Sequence, residues 1–140
     1  MGPARILVID DSTTDIYLLE IALNEQGEEY ELEILSDGEA ALQFVREHRS
    51  GVRKREPCVI LLDLYLPDHN GLAVLHAIKE APELTHINVV VLTGSASPRD
   101  RAEVQGLGAR FWQKPRELSE FNDLAQEILA ICRDALATSA

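Results

Sequence analysis

Ile6-Leu7-Val8-Ile9-Asp10-Asp11 joins an apolar run without alternation to a pair of acids, and its reading decides the fold. Such a run fits a strand covered on both faces, the environment of a parallel sheet flanked by helices. Three more strands read at Val59 to Leu62, Val89 to Leu92 and Ala109 to Gln113, followed respectively by Asp63, Thr93 and Lys114. In a parallel sheet all of these polar residues share one edge. Open α/β sheets bind their ligands at that carboxyl edge. Three carboxylates, a hydroxyl and an ammonium gathered there suit one hard divalent cation and one phosphoryl group.

Helical signals lie between the strands. Ser12 with Asp15 three residues later resembles a capping box, and the helix it opens runs to about Gln26 with Ile16, Leu19 and Leu23 inward and Gly27 at its end. Leu32 and Ile34 alternate with polar neighbours, as in a strand nearer the edge. Asp37 and Gly38 open a second helix carrying Ala41, Leu42 and Val45 toward the core, and Ser50 to Pro57 reads as a loop. Gly71 begins a third helix with Leu72, Leu75 and Ile78 inward, closed by Pro82. Ser97 as cap with Pro98 behind it starts a fourth, which Gly106 and Gly108 stop. Phe111 and Trp112 sit in the last strand and point to opposite sides by alternation. Leu118, Phe121, Leu124, Ala125, Ile128 and Ile131 follow a helical period to near Cys132, leaving Thr138 to Ala140 as a frayed tail. Five strands and five helices consume residues 1–140, which predicts a single domain and leaves no room for an output domain.

Composition narrows the function classes. With 140 residues, 46% of them hydrophobic, the chain can bury one respectable core. The 24 acidic against 13 basic residues give a formal charge of -11, which argues against nucleic-acid binding and for a soluble cytoplasmic protein. Nothing approaches the roughly 18 apolar residues a membrane span needs, and the start lacks a signal-peptide pattern. Cys58 and Cys132 read as reduced structural thiols. His48, His69, His76 and His86 show no compact metal-ligand spacing. Arg46, Arg49, Arg53, Lys54 and Arg55 reverse the acidic balance locally, either as a solvated loop or as a docking patch for an acidic protein.

The ordered set Ile6-Leu7-Val8-Ile9-Asp10-Asp11, Leu61-Leu62-Asp63-Leu64-Tyr65-Leu66-Pro67 followed by Asn70-Gly71, Leu92-Thr93-Gly94, and Phe111-Trp112-Gln113-Lys114-Pro115 resembles the response regulator receiver domain over essentially the whole chain. The resemblance implies the flavodoxin-like, doubly wound α/β fold with sheet order 2-1-3-4-5 and the site at its switch point. The Leu-Thr-Gly-Ser stretch before Pro98, the long basic loop and the missing output domain look most like stand-alone receivers that accompany phytochrome-type histidine kinases. That likeness implies a histidine kinase as phosphodonor and a homodimer, with a monomer that uses the same surface for a kinase or effector as the alternative; the missing output domain predicts action through a downstream protein partner.

The residues carry the chemistry independently. Asp63 at the end of a central strand can present a carboxylate oxygen in line to a phosphohistidine or acyl phosphate. Asp10 and Asp11 crowd it and favour a cation, since like charges disfavour joint ionisation. By resemblance the cation is Mg²⁺, with Asp11 and Asp63 as direct ligands, Asp10 acting largely through water, and the backbone carbonyl of Tyr65 completing the set. Lys114 can neutralise a phosphoryl oxygen and the Thr93 hydroxyl can donate to one. The resemblance also implies a cis bond between Lys114 and Pro115, a switch role for Phe111, and control of hydrolysis by the side chain of Tyr65; Ser95, close to Thr93 in sequence, would partly reopen the mouth of the site. His69 falls in the loop just beyond Asp63, where it can influence access to the site. The expected activity is Mg²⁺-dependent self-phosphorylation from a phosphodonor and autodephosphorylation. A receiver-fold interaction module that turns over no phosphate is the alternative; a phosphate-ester hydrolase is disfavoured because no separate general acid is evident.

Overall fold

The computed structural model describes residues 2–53, 55–68, 71–94 and 97–138. The readings placed on Lys54, His69, Asn70, Ser95 and the last two residues of the tail lie outside the described residues. Five parallel strands, β1 (Ala4–Ile9), β2 (Tyr30–Leu35), β3 (Val59–Asp63), β4 (Asn88–Thr93) and β5 (Arg110–Gln113), alternate with α1 (Thr13–Glu25), α2 (Gly38–Arg49), α3 (Gly71–Glu80), α4 (Pro98–Gly106) and α5 (Leu118–Thr138). The sheet order is β2-β1-β3-β4-β5, as the resemblance implied.

Because side chains alternate across a strand, each apolar run serves two cores. Leu7, Ile9, Ile60, Leu62, Val89 and Val91 point toward α2, α3 and α4, where they meet Phe44, Val74, Leu75, Ile78 and Val104. Ile6, Val8, Val59, Leu61, Val90 and Leu92 point the other way, onto Ile16, Leu19, Leu23, Phe121, Leu124 and Ile128. Phe111 packs against the first core and Trp112 against the second, so the expected alternation holds. In α2 the third inward position belongs to Phe44, while Leu42 is only half-buried, because the inner face is rotated from the one the sequence pattern indicated.

Three helices open on the expected caps. Ser12 Oγ accepts the Asp15 N–H at 3.2 Å, Asp37 Oδ1 accepts that of Ala40 at 2.7 Å, and Ser97 Oγ accepts that of Asp100 at 3.0 Å. Each satisfies a donor the helix leaves unpaired and contributes on the order of 1 kcal/mol. Helix α5 runs past Cys132 to Thr138, so the tail reading of Thr138 is corrected. Arg133 near that end grips Glu28 at 2.7 and 2.6 Å, tying the added turns to the segment after α1.

The basic segment is largely occupied internally. Arg46 pairs with Glu39 at 2.9 Å, Arg53 with Glu33 at 2.9 Å and Glu47 at 2.7 Å, and Arg55 with Glu31 at 3.8 Å. These exposed pairs stabilise little individually, but they favour the solvated-loop reading over the docking patch. Cys58 and Cys132 are both free thiols. Burial, reinforced by the neighbouring Cys58, pushes the Cys132 thiol far above its ordinary range, as befits a structural residue.

The start of α3 decides how the end of β3 is shaped. Gly71 N–H donates to Leu64 O at 2.7 Å, and a Cβ at Gly71 would lie 2.5 Å from Leu64 O and 2.6 Å from Asp63 O. Both obstacles are backbone, so a side chain there must displace the segment that follows Asp63. Gly71→Ala is expected to lower stability by about 1–3 kcal/mol and to weaken divalent-cation binding. Urea unfolding with an unchanged m-value and calorimetric cation titration check the two effects.

Candidate functional site

The strand ends of β1, β3, β4 and β5 bring the sequence-selected residues together. Asp10, just past β1, is buried with Asp63 at the end of β3 and Thr93 at the end of β4, while Asp11 is exposed. One carboxylate oxygen from each of Asp10, Asp11 and Asp63 lies within 4.8 Å of the others, the only such acid group among the described residues with metal-binding proximity. Their position follows from topology. Strands β1 and β3 are adjacent, and the connections leaving them depart to opposite faces of the sheet, which leaves a crevice at their carboxyl ends.

Backbone donors orient the acids. Asp10 Oδ1 accepts the Ser12 N–H at 2.9 Å, and Asp63 Oδ1 accepts the Tyr65 N–H at 3.1 Å. Lys114, whose own N–H donates to Thr93 O at 2.8 Å, reaches across from β5. Its Nζ lies 3.3 Å from Asp63 Oδ2, 3.6 Å from Asp10 Oδ2 and 3.0 Å from Asp15 Oδ2. The Lys114-Pro115 bond is trans, since no cis peptide occurs among the described residues; trans is also the intrinsically preferred isomer.

Asp15 is a residue that sequence reasoning missed as part of the site. Its local signal, the capping position of α1, accounted for it completely, yet its carboxylate makes the shortest of the three contacts to Lys114. Tyr65 is exposed, and its hydroxyl forms a long hydrogen bond to Asp100 Oδ2 at 3.5 Å, reaching the first turn of α4. Phe111 is half-buried with the Arg101 guanidinium 4.4 Å above its ring.

Electrostatics suit the acid group to a divalent cation. Burial pushes the Asp10 carboxyl up to about 6 from its ordinary 3.8; Ser12 and Lys114 hold it down, while Asp63 and Asp15 add to the rise. For Lys114 burial disfavours the charge, but the hydrogen bond to Asp15 and the charges of Asp10, Asp63 and Asp15 outweigh it and keep the ammonium protonated well above its usual range. Hard oxygen donors that repel one another at close range fit a hard divalent ion.

Similarity to known proteins agrees with this geometry. The response regulator receiver domain profile matches residues 6–126. The chain belongs to the response regulator receiver family. It is 41% identical over 98 residues to response regulator Rcp1 of Synechocystis sp., an alignment covering 70% of this chain and 67% of Rcp1. The structure of the Mn²⁺-bound form of Rcp1 superposes with a TM-score of 0.79 at 36% identity, covering 91% of this chain and 93% of that one. The phosphorylated cyanobacterial phytochrome response regulator RcpA gives 0.82 at 30% identity, covering 94% of each chain. The bacteriophytochrome response regulator AtBRR gives 0.72 at 33% identity, covering 94% and 95%. This receiver is thus related to phytochrome-associated response regulators, and its acid group supports regulation by phosphorylation. No helix among the described residues is long and apolar enough to cross a membrane.

The raised Asp10 carboxyl has a thermodynamic consequence. Below about pH 4 the group is protonated whether the chain is folded or not. As pH rises to about 6 the unfolded chain ionises first, so the folded state loses stability over that window. The shift from 3.8 to about 6 corresponds to at most about 3 kcal/mol. In EDTA, Asp10→Asn is therefore expected to match the wild type near pH 4 and to exceed it increasingly up to neutral pH, as read from urea midpoints across the range.

Proposed function

We propose that Asp63 accepts a phosphoryl group from the phosphohistidine of a histidine kinase of the phytochrome type, and that the aspartyl phosphate changes the protein-binding surface of the receiver domain. The observation that carries this reading is the placement of Asp63: its Oδ1 is held by the Tyr65 amide and its Oδ2 faces Lys114, beside two further acids. A carboxylate oxygen of Asp63 attacks phosphorus while the P–N bond breaks and its electron pair stays on the imidazole nitrogen. Attack by water on the acyl phosphate later returns the carboxylate and inorganic phosphate.

Asp11, Asp63 and the Tyr65 carbonyl are the assigned Mg²⁺ ligands, with Asp10 acting largely through water. Mg²⁺ bound there supplies charge neutralisation for the acids and for the incoming phosphoryl oxygens. Lys114 leaves its carboxylate contacts to offset phosphoryl charge, and the Thr93 hydroxyl donates to a phosphoryl oxygen. Movement of Thr93 opens space for Phe111 to turn inward, altering the face built by α4, β5 and α5. That face is the assigned docking surface for a downstream protein or for a second copy of the chain in a homodimer. The acidic charge of -11 disfavours nucleic acid as the partner, and the cytoplasm is the assigned compartment.

Intact-mass measurement with acetyl phosphate and Mg²⁺ tests the proposal. A labile gain of one phosphoryl group is expected, lost on EDTA treatment before donor addition and absent in Asp63→Asn. Unchanged modification of that variant would overturn Asp63 as the acceptor, and a wild-type chain that gains no phosphoryl group would return it to the class of interaction modules that turn over no phosphate.

Tyr65 extends the proposal to the lifetime of the signal. Its exposed ring, held toward Asp100, obstructs the approach of water to the acyl phosphate. Tyr65→Ala is expected to shorten the phosphorylated-state lifetime several-fold, on the order of 1 kcal/mol of barrier, while phosphorylation itself persists. Phosphate-release kinetics at fixed Mg²⁺ decide it, and an unchanged or longer lifetime rejects the gating role.

A further inference from the structure

Asp68 lies five residues beyond Asp63 yet is bonded to a different part of the fold. Its Oδ1 accepts the Gly38 N–H at 2.7 Å and its Oδ2 the Glu39 N–H at 3.1 Å, a two-pronged grip on the first amides of α2. Ionised acceptors at a helix N-terminus make strong, charge-assisted bonds with the unpaired amides there. Helix α2 already has its own cap, because Asp37 Oδ1 accepts the Ala40 N–H at 2.7 Å. The two carboxylates thus divide the opening amides of one helix between a residue local to it and a residue from the site segment.

That division closes a circuit around the acid group. On one side the Asp10 N–H donates to Leu35 O at 3.0 Å, fixing the end of β1 to the end of β2, which leads directly into Asp37 and Gly38. On the other, the segment from Asp63 is held at Leu64, whose N–H donates to Leu92 O at 3.0 Å and whose carbonyl accepts from Gly71, and at Leu66, which is buried in the core. Tyr65 lies between these two fixed points, and Asp68 anchors the segment two residues beyond the second. From this geometry we infer that Asp68 is a positioning residue, which sets divalent-cation affinity by clamping the Asp63–Asp68 segment against α2 so that the Tyr65 carbonyl stays in register with Asp10, Asp11 and Asp63. The inference rests on the assignment of Tyr65 and the three acids as the cation site.

Asp37 provides the internal control, since Asp37→Ala removes the same charge and a cap from the same helix end without touching the site segment. Calorimetric Mg²⁺ titration of the full chain without phosphodonor, alongside urea unfolding, separates the roles. Both alanine variants are expected to lose stability. Asp68→Ala is expected to raise the Mg²⁺ dissociation constant on the order of tenfold, Asp68→Asn by less because its amide oxygen keeps one bond, and Asp37→Ala by less than about twofold. Equal affinities in Asp68→Ala and Asp37→Ala would overturn the positioning role and leave Asp68 an ordinary helix cap. If Asp68→Ala does not fold, Asp68→Asn decides: an affinity equal to that of Asp37→Ala overturns the inference, and a weaker one supports it. A wild-type chain that binds no Mg²⁺ would instead overturn the cation-site assignment itself.

Discussion

Lys114 Nζ faces carboxylates of Asp15, Asp63 and Asp10 at 3.0, 3.3 and 3.6 Å, and the exposed Asp11 stands beside them. One ammonium against four acids leaves the strand ends with excess negative charge when all are ionised. Asp10 and Asp63 are also withdrawn from water, and burial pushes the Asp10 carboxyl up. The lysine holds the group together, and a divalent cation there would offset most of the remaining charge. Under the proposed function Lys114 would have two duties: it stabilises the acids before phosphorylation and would offset phosphoryl charge afterwards.

Such a crowded charge group needs rigid support, and the sheet supplies it. β1 and β3 lie at the centre with both faces covered, so the acids that follow them extend from well-packed backbone. The tight approach of Gly71 to Asp63 O and Leu64 O sets the bend after β3, and backbone amides of Ser12 and Tyr65 aim one oxygen of Asp10 and of Asp63. Apolar packing thus fixes where the carboxylates begin, and a few hydrogen bonds fix where they point.

Much of this was legible in the sequence because the informative signals were local. Unbroken apolar runs marked the strands, Ser12, Asp37 and Ser97 marked helix starts, and a polar residue at each strand end marked the site. What escaped notice depends on contacts between distant segments. Asp15 was explained by its position in α1, which concealed its ion pair with Lys114, and Asp68 gave no local hint of its bonds to α2. The basic residues around the Ser50 to Pro57 loop formed an evident charge run, but the acids on β2 and α2 that occupy them could be paired only in three dimensions. Helix α5 outlasts its clear apolar period, and the pairing of Arg133 in its added turns with Glu28, distant in sequence, had no local signal.

The helices differ in how firmly they are held, which bears on where a change at the strand ends can be expressed. α5 buries Phe121, Leu124, Ala125, Ile128, Leu129, Ile131 and Cys132 against the sheet. α4 buries only Val104. Since a fully buried aliphatic side chain stabilises by about 1.5–3 kcal/mol, the apolar anchoring of α4 is a small fraction of that of α5. Polar and ring contacts make up part of the difference: Glu103 with His76 at 2.8 Å, Asp100 with Tyr65 at 3.5 Å, and Arg101 above Phe111 at 4.4 Å. Two of those three partners, Tyr65 and Phe111, lie beside the acid group or on the strand that delivers Lys114. A shift of either removes support from an element with little other anchorage, whereas α5 can absorb the same shift without losing its core. Elements with few buried apolar contacts are also those that open at least cost. Under the proposed function a change at the strand ends would therefore be expressed first at α4, because so little else holds that helix.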